Sequence, residues 1–160
     1  MNYGFLRAGC CSPSLAVGDC AGNEDRIIDA ARSLCAEGAS LVVFPELCIT
    51  SYTCGDLFLQ RTLQLSAVDQ LERIAKKTAS CAAVITVGLP LAVDGALYNT
   101  AAVLYKGKIL ALVPKTFIPN YSEFYERRYF SPPPRNFAEN SVSFGKKSVR
   151  SVWYRHTYRR

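Results

Sequence analysis

The sequence predicts an α/β domain built around a mixed sheet, and three observations carry that prediction. Strand-like and helix-like stretches alternate in the order β-α-β-α-β and close on two further strands. Three short apolar runs, residues 41–44, 82–87 and 109–113, have the length of strands, and the first, rich in valine, fits a strand buried on both faces. The last two strands flank Lys106-Gly107-Lys108 as a hairpin, so one pair must be antiparallel. Helices packed on a mainly β core are what such an order supports.

Residues 5–11 read as the first strand, broken by Ser12-Pro13 and followed by a polar loop through Gly18-Asp19 and Gly22-Asn23. Asn23 is placed to cap a helix, with Glu24 and Asp25 at its positive end. Ile27, Ile28, Ala31, Leu34 and Cys35 share one helical face, and Gly38 ends the helix. Residues 40–44 fit a strand buried on both faces, and Pro45 stops it because proline cannot donate to a ladder. Glu46 therefore stands just past the C-terminal end of an interior strand. After a loop over 50–56, a second helix is predicted from about 57 to 77, with Leu63, Ala67, Leu71 and Ile74 aligned. Residues 82–88 read as a third buried strand, closed by Leu89-Pro90, and Asp94-Gly95 signals a turn. The hairpin strands are 97–105 and 109–113; Pro114 closes the second, and Lys115 follows directly. Residues 117–130 are aromatic-rich, Ser131-Pro132-Pro133-Pro134 is a break, and no periodicity is legible beyond it.

The chain has 160 residues, 49% hydrophobic and 20% charged, enough for one domain with a substantial core. No apolar run approaches the roughly 20 residues of a membrane span, and the N-terminus lacks the pattern of a signal peptide. The net charge of +6 is unevenly placed. Six of the 19 basic residues (Lys146, Lys147, Arg150, Arg155, Arg159 and Arg160) lie in 145–160 with no acid among them, leaving 13 basic and 13 acidic residues before them. A neutral body with a basic tail argues against a nucleic-acid partner. The seven cysteines are irregularly spaced, with no C-x-x-C, and the single histidine, His156, is remote from all of them. A zinc site is not expected. Cysteines in apolar segments act as small buried hydrophobes, which suits a reducing cytoplasm.

Two residues stand out chemically. Glu46 and Lys115 each follow a proline that ends an apolar strand, and catalytic groups of α/β folds gather outside strand ends. Taken singly, each has a plain alternative: a half-buried glutamate paired with an arginine, and an exposed lysine after a hairpin. Their matched placement favours a site.

Longer stretches make the likeness specific. Leu41-Val-Val-Phe-Pro-Glu-Leu47 resembles the glutamate motif of the nitrilase superfamily, the carbon–nitrogen hydrolases, and Val113-Pro-Lys115 resembles its lysine motif. The runs over 44–58, 87–90, 97–103 and 114–130 together resemble the glutaminase domains of bacterial glutamine-dependent NAD synthetases, with the likeness running from about Phe5 to Lys147. The resemblance implies a nitrilase-like α-β-β-α sandwich, incomplete at the C-terminus, over residues 1–147. It implies a Glu-Lys-Cys amidase: Glu46 as general base, Lys115 stabilising an oxyanion, and a cysteine attacking the side-chain amide of glutamine. Glu126, with Glu123 the lesser choice, matches the second glutamate of such sites. Tyr52, Tyr121 and Phe124 match positions that shape the glutamine pocket, with core packing their plainer role. The parent enzymes pass ammonia to a separate domain that binds ATP and Mg and amidates nicotinic acid adenine dinucleotide; they are expected to be cytoplasmic homo-oligomers.

This sequence departs from that pattern. Ser51 stands where glycine is common, and is strained there if the position needs positive φ. No cysteine follows Cys81, where the nucleophile should lie, and Cys48 and Cys54 match other positions of the glutamate motif. The synthetase domain and its phosphate-cradling loop are absent, so no cofactor is expected in this chain. Residues 148–160 do not resemble the family and read as a disordered or frame-shifted basic tail, a real tail for an acidic partner being the alternative. The expectation is a truncated glutaminase domain, inactive by itself. A fragment of another nitrilase-superfamily amidase and a non-catalytic oligomerisation module are the competing readings.

Overall fold

The structure is a computed structural model that describes residues 4–133, and the backbone alone of two further strands, 140–144 and 147–151. The elements are β1 (Ala8–Cys10), α1 (Cys20–Ala36), β2 (Leu41–Val43), a 3-10 turn (Gly55–Leu59), α2 (Arg61–Lys77), β3 (Val84–Val93), β4 (Ala96–Tyr105), β5 (Lys108–Pro114), a second 3-10 turn (Glu126–Arg128), β6 (Asn140–Phe144) and β7 (Lys147–Ser151). They form one mixed sheet in the order β1-β2-β3-β4-β5-β7-β6. β1, β2 and β3 are parallel, and β3-β4-β5 is an antiparallel meander. Two parallel crossovers moving in the same direction place both helices on one face when they share the usual right hand, and α1 and α2 do pack together.

That face holds the core. Ile27, Ile28 and Ala31 of α1, Leu63, Ala67, Leu71 and Ile74 of α2, and Val42, Ile85, Val87, Ala102, Leu104 and Leu112 of the strands are all buried. Both expected helical stripes are therefore the core-facing ones. The opposite face carries Val43, Thr86 and Val113, half-buried, and Ala101, exposed. Among the described residues no helix is long and apolar enough to cross a membrane.

Several boundaries differ from the sequence reading, each for a local reason. α1 is capped by Asp19, whose Oδ1 accepts from Gly22 N at 2.9 Å, not by Asn23. Asn23 lies inside the helix, fully buried, because its side chain serves a tertiary purpose. It accepts from Ala16 N and donates to Ala16 O and Ile49 O at 2.8–3.1 Å. The second helix is broken at Gln60, which is extended (ψ 118°), so only residues from Arg61 onward are α-helical. β3 does not stop at Leu89-Pro90 but runs to Val93, opposite β4 across Asp94-Gly95. Gly88 directs its N–H to Cys48 Sγ and its C=O to Ile49 N. Pro90, two residues on, turns its nitrogen to the same side, away from β4, so no ladder bond is lost. The hairpin β6–β7 was not legible as periodicity; two short runs with alternating Val142, Phe144 and Val149 around Gly145-Lys146 are its signal. β7 crosses the boundary drawn after Lys147, and 152–160, the rest of the basic tail, lie outside the described residues.

A buried carboxylate fastens the two helices. Glu24 is 2% exposed and receives Lys77 Nζ at 2.7 Å and Arg73 Nε at 3.1 Å. Its partners are largely solvated, so the two sides of this cluster respond differently to mutation. Glu24→Gln is expected to cost about 1–2 kcal/mol, whereas Arg73→Ala with Lys77→Ala strands a buried charge and should cost about 3–5 kcal/mol. Urea unfolding of the two variants measures the difference. Ser51 does have positive φ (70°), the strained condition anticipated for a non-glycine residue. Ser51→Gly is therefore expected to stabilise the chain by about 0.5–1 kcal/mol in the same assay.

Candidate active site

β2 and β5 both run parallel to β3, so their C-terminal ends emerge at one edge of the sheet. That topology brings Glu46 and Lys115 together. Lys115 Nζ donates to Glu46 Oε1 at 2.7 Å and to both oxygens of Glu126 at 3.0–3.1 Å. Tyr52 OH donates to Glu126 Oε1 at 2.8 Å. Glu126 is 6% exposed, and its ammonium and phenol partners compensate its burial. Glu123 is exposed; Glu126 is the glutamate that meets the lysine.

Each side chain is held by its local backbone. Pro45 ends β2, and the chain turns through Leu47, which is fully buried at φ 53°. A left-handed leucine is unfavourable and persists only where its surroundings fix it. Here Leu47 O accepts from Thr50 N and Thr50 Oγ1 at 3.1 and 3.2 Å. Lys115 is fixed by its own N–H, which donates to Asn99 O at 2.7 Å. Glu126 opens a 3-10 turn packed on the 3-10 turn Gly55–Leu59 by Phe58, whose ring centroid is 5.7 Å from that of Tyr129 and 5.0 Å from that of Phe130. A two-pronged ion pair, Arg128 to Asp56 at 2.8 and 3.1 Å, closes the same junction. The Arg128 guanidinium holds the Asp56 carboxyl below its ordinary range.

Two hollows flank the cluster. A groove of about 410 Å³ on the helix-free face is lined by Pro45, Glu46, Thr86, Gly88, Asn99 and Lys115 among others. A smaller cavity of about 230 Å³ is lined by Tyr52, Phe58, Phe124, Tyr125, Glu126 and Tyr129 among others. Of the aromatics matched to a glutamine pocket, Tyr52 and Phe124 line the cavity. Tyr121 lines neither; it is 67% exposed and lies edge-on to Phe124 at 5.6 Å.

The electrostatics suit a fixed cation. Partial burial alone would lower the Lys115 pKa, but the hydrogen bonds and charges of Glu46 and Glu126 outweigh it, and the ammonium is held above the ordinary lysine value. Burial and the adjacent Glu126 push the Tyr52 phenol up, so it remains a donor. The nearby thiols are not poised to react. Cys48 is fully buried, with Sγ 3.3 Å from Gly88 N, and burial pushes its pKa up to about 12. Cys54 donates to Thr50 O at 3.0 Å, and burial raises it too. Both are structural thiols. Among the described residues, no group of three His, Cys, Asp or Glu could hold a metal ion.

Sequence reasoning missed Asn99. It is 4% exposed, and its Nδ2 donates to Glu46 Oε1 while its carbonyl receives Lys115 N. Its sequence signals are its place in the run over 97–103 and a polar Asn-Thr pair within a mainly apolar strand.

Residues 7–158 match the carbon–nitrogen hydrolase family. The glutamine-dependent NAD(+) synthetase of Mycobacterium tuberculosis is 39% identical over 131 residues, covering 82% of this chain and 19% of that protein. The synthetase of the same name from Xylella fastidiosa is 34% identical over 155 residues, covering 94% of this chain and 28% of that protein. A solved glutamine-dependent NAD(+) synthetase from Cytophaga hutchinsonii superposes with a TM-score of 0.83 at 27% identity, over 91% of this chain and 25% of that one. The chain thus spans 19–28% of the length of these relatives.

A raised folded-state pKa makes the stabilisation from Lys115 complete below the unfolded lysine value of 10.5 and lost as pH rises through the higher folded value. Lys115→Met should therefore melt below the wild type at neutral pH, with the gap closing above pH 10.5. Thermal melts over that range check it.

Proposed function

This chain belongs to the carbon–nitrogen hydrolase family, and on that premise we propose that Glu46, Lys115 and Glu126 are the base, oxyanion-stabilising and supporting members of a glutamine-hydrolysing site of the kind used by glutamine-dependent NAD synthetases. The observation that carries this reading is the Lys115 ammonium held between Glu46 and Glu126 at the rim of an open groove.

In this reading the primary amide of glutamine enters the groove with its carbonyl oxygen toward Lys115. Glu46 takes the proton of a cysteine thiol, the sulfur attacks the amide carbon, and Lys115 stabilises the negative charge on oxygen. Glu46 returns that proton to the leaving nitrogen as collapse expels ammonia and leaves a thioester; Glu46 then takes a proton from a water that hydrolyses the thioester to glutamate and frees the thiol. Glu126 offsets the lysine charge and, with Tyr52, prevents its ammonium from swinging out of position. Tyr52 and Phe124 would shape one wall of the substrate site. The ammonia would be consumed in the ATP-dependent amidation of nicotinic acid adenine dinucleotide by a domain that lies outside these 160 residues, and ATP and Mg would belong to that domain.

The 160-residue chain itself is proposed to bind glutamine without turning it over. It carries no cysteine beyond Cys81, and the thiols of Cys48 and Cys54 are buried and bonded to backbone. Glutamate release from glutamine by the wild-type chain is expected to equal that of Glu46→Ala; release above it overturns the claim of inactivity. Saturating glutamine is expected to raise the melting temperature of the wild type and not that of Glu46→Ala. An equal response in both would overturn the assignment of the site.

A further inference from the structure

The two oxygens of Glu46 are not equivalent. Oε1 receives both Lys115 Nζ, at 2.7 Å, and Asn99 Nδ2. Oε2 has no hydrogen-bond partner among the described residues, although the side chain is 40% exposed and lines the groove. A carboxylate free to rotate about its terminal bond would exchange the two oxygens, because a single ammonium can be met by either. A second donor on the same oxygen, coming from a different strand, removes that freedom. Asn99 is well placed to be that donor. It is 4% exposed on the central strand β4, and its own backbone carbonyl receives Lys115 N. One residue therefore sets the position of both members of the ion pair.

The backbone of Glu46 is located by a second feature. A Cβ built on Gly88 would collide with Leu47 N, and would lie 2.9 Å from the Glu46 carbonyl carbon and 3.0 Å from Pro45 O. These are backbone atoms that cannot step aside as a flexible side chain could. Gly88 thus allows the turn after β2 to lie directly on β3, within reach of Asn99 on β4.

We propose that Asn99 is a positioning residue which, on the seat provided by Gly88, holds Oε1 of Glu46 against Lys115 and leaves Oε2 as the single oxygen presented to the groove. This rests on the reading of Glu46 as a base and deepens it: the base is one defined oxygen, and its aim is set by a β4 amide rather than by the lysine alone. In this role Asn99 acts through Glu46.

The test reads the protonation of Lys115 and needs no turnover. Each lysine of the 160-residue chain is labelled with trace acetic anhydride across a pH series, and mass spectrometry of peptides gives the pH at which Lys115 is half-reactive. Lys108, at the far end of β5, is the reference within the same molecule. Asn99→Leu removes the side-chain donor but keeps the backbone carbonyl that receives Lys115 N. It should loosen the Glu46–Lys115 contact and lower the Lys115 half-point measurably, but by less than Glu46→Gln, which removes the adjacent carboxylate charge and should lower it by about 1 pH unit. Gly88→Ala should move it in the same direction while Lys108 stays constant. Asn99→Ser, shorter but polar, gives the same readout if leucine compromises the fold, which thermal melts establish. A folded Asn99 variant whose Lys115 titrates as in the wild type, beside a Glu46→Gln chain that shows the drop, overturns the role of Asn99 and leaves the ion pair standing. No drop in Glu46→Gln overturns the pairing itself, and with it the proposed function.

Discussion

The ammonium of Lys115 ties together three separate stretches of the chain. It meets Glu46 from the end of β2 at 2.7 Å and Glu126 from the aromatic segment at 3.0 Å, while its own backbone is bonded to β4. Without a cation there, two carboxylates would face one another across a partly buried gap, one of them 6% exposed. Like charges in such a setting repel strongly. The aromatic segment is otherwise held by the Phe58, Tyr129 and Phe130 cluster, the Asp56–Arg128 pair and Tyr52 on Glu126, and by Ser131 N, which donates to Leu97 O of β4 at 2.9 Å. The lysine is both the electrostatic centre of the site and the pin that holds the segment against the strand ends.

That arrangement depends on strand direction. A hairpin placed between two parallel strands restores the original direction, so β5 leaves the sheet at the same edge as β2. The meander β3-β4-β5 is what lets two motifs far apart in sequence end side by side, with Asn99 of β4 between them. The close approach at Gly88 completes the geometry, because a sheet strand with any side chain at that position would hold the Glu46 turn away. The left-handed backbone at Leu47 and Ser51 flanks the same turn. Strain gathered beside a pair of functional groups is where local preference yields to tertiary placement.

Local structure was legible where one residue's chemistry decides and illegible where a partner does. Pro45 and Pro114 end strands because a ring nitrogen cannot donate, and that is visible in sequence. Pro90 sits within a strand because its nitrogen points away from β4, which only the register reveals. Asp19 and Asn23 are both good caps by residue type. The choice fell to Asp19 because Asn23 is needed to bond Ala16 and Ile49. Gln60 breaks a pattern whose periodicity runs through it.

By itself the sequence determined the alternation of elements, the two buried helical stripes, and the placing of Glu46 and Lys115 after strand-ending prolines, since each follows from spacing and the geometry of a single residue. It also marked Ser51 as strained and favoured Glu126 over Glu123 through its place in a motif. Only the tertiary structure decided that the two proline-following residues share one sheet edge, that Glu126 reaches the same ammonium, and that Asn99 engages the Glu46 carboxylate. Those facts depend on strand direction and on the close approach at Gly88, which are relations between segments. The pair after the prolines was legible as two residues placed alike; the sheet made it one ion pair with a single oxygen left unbonded.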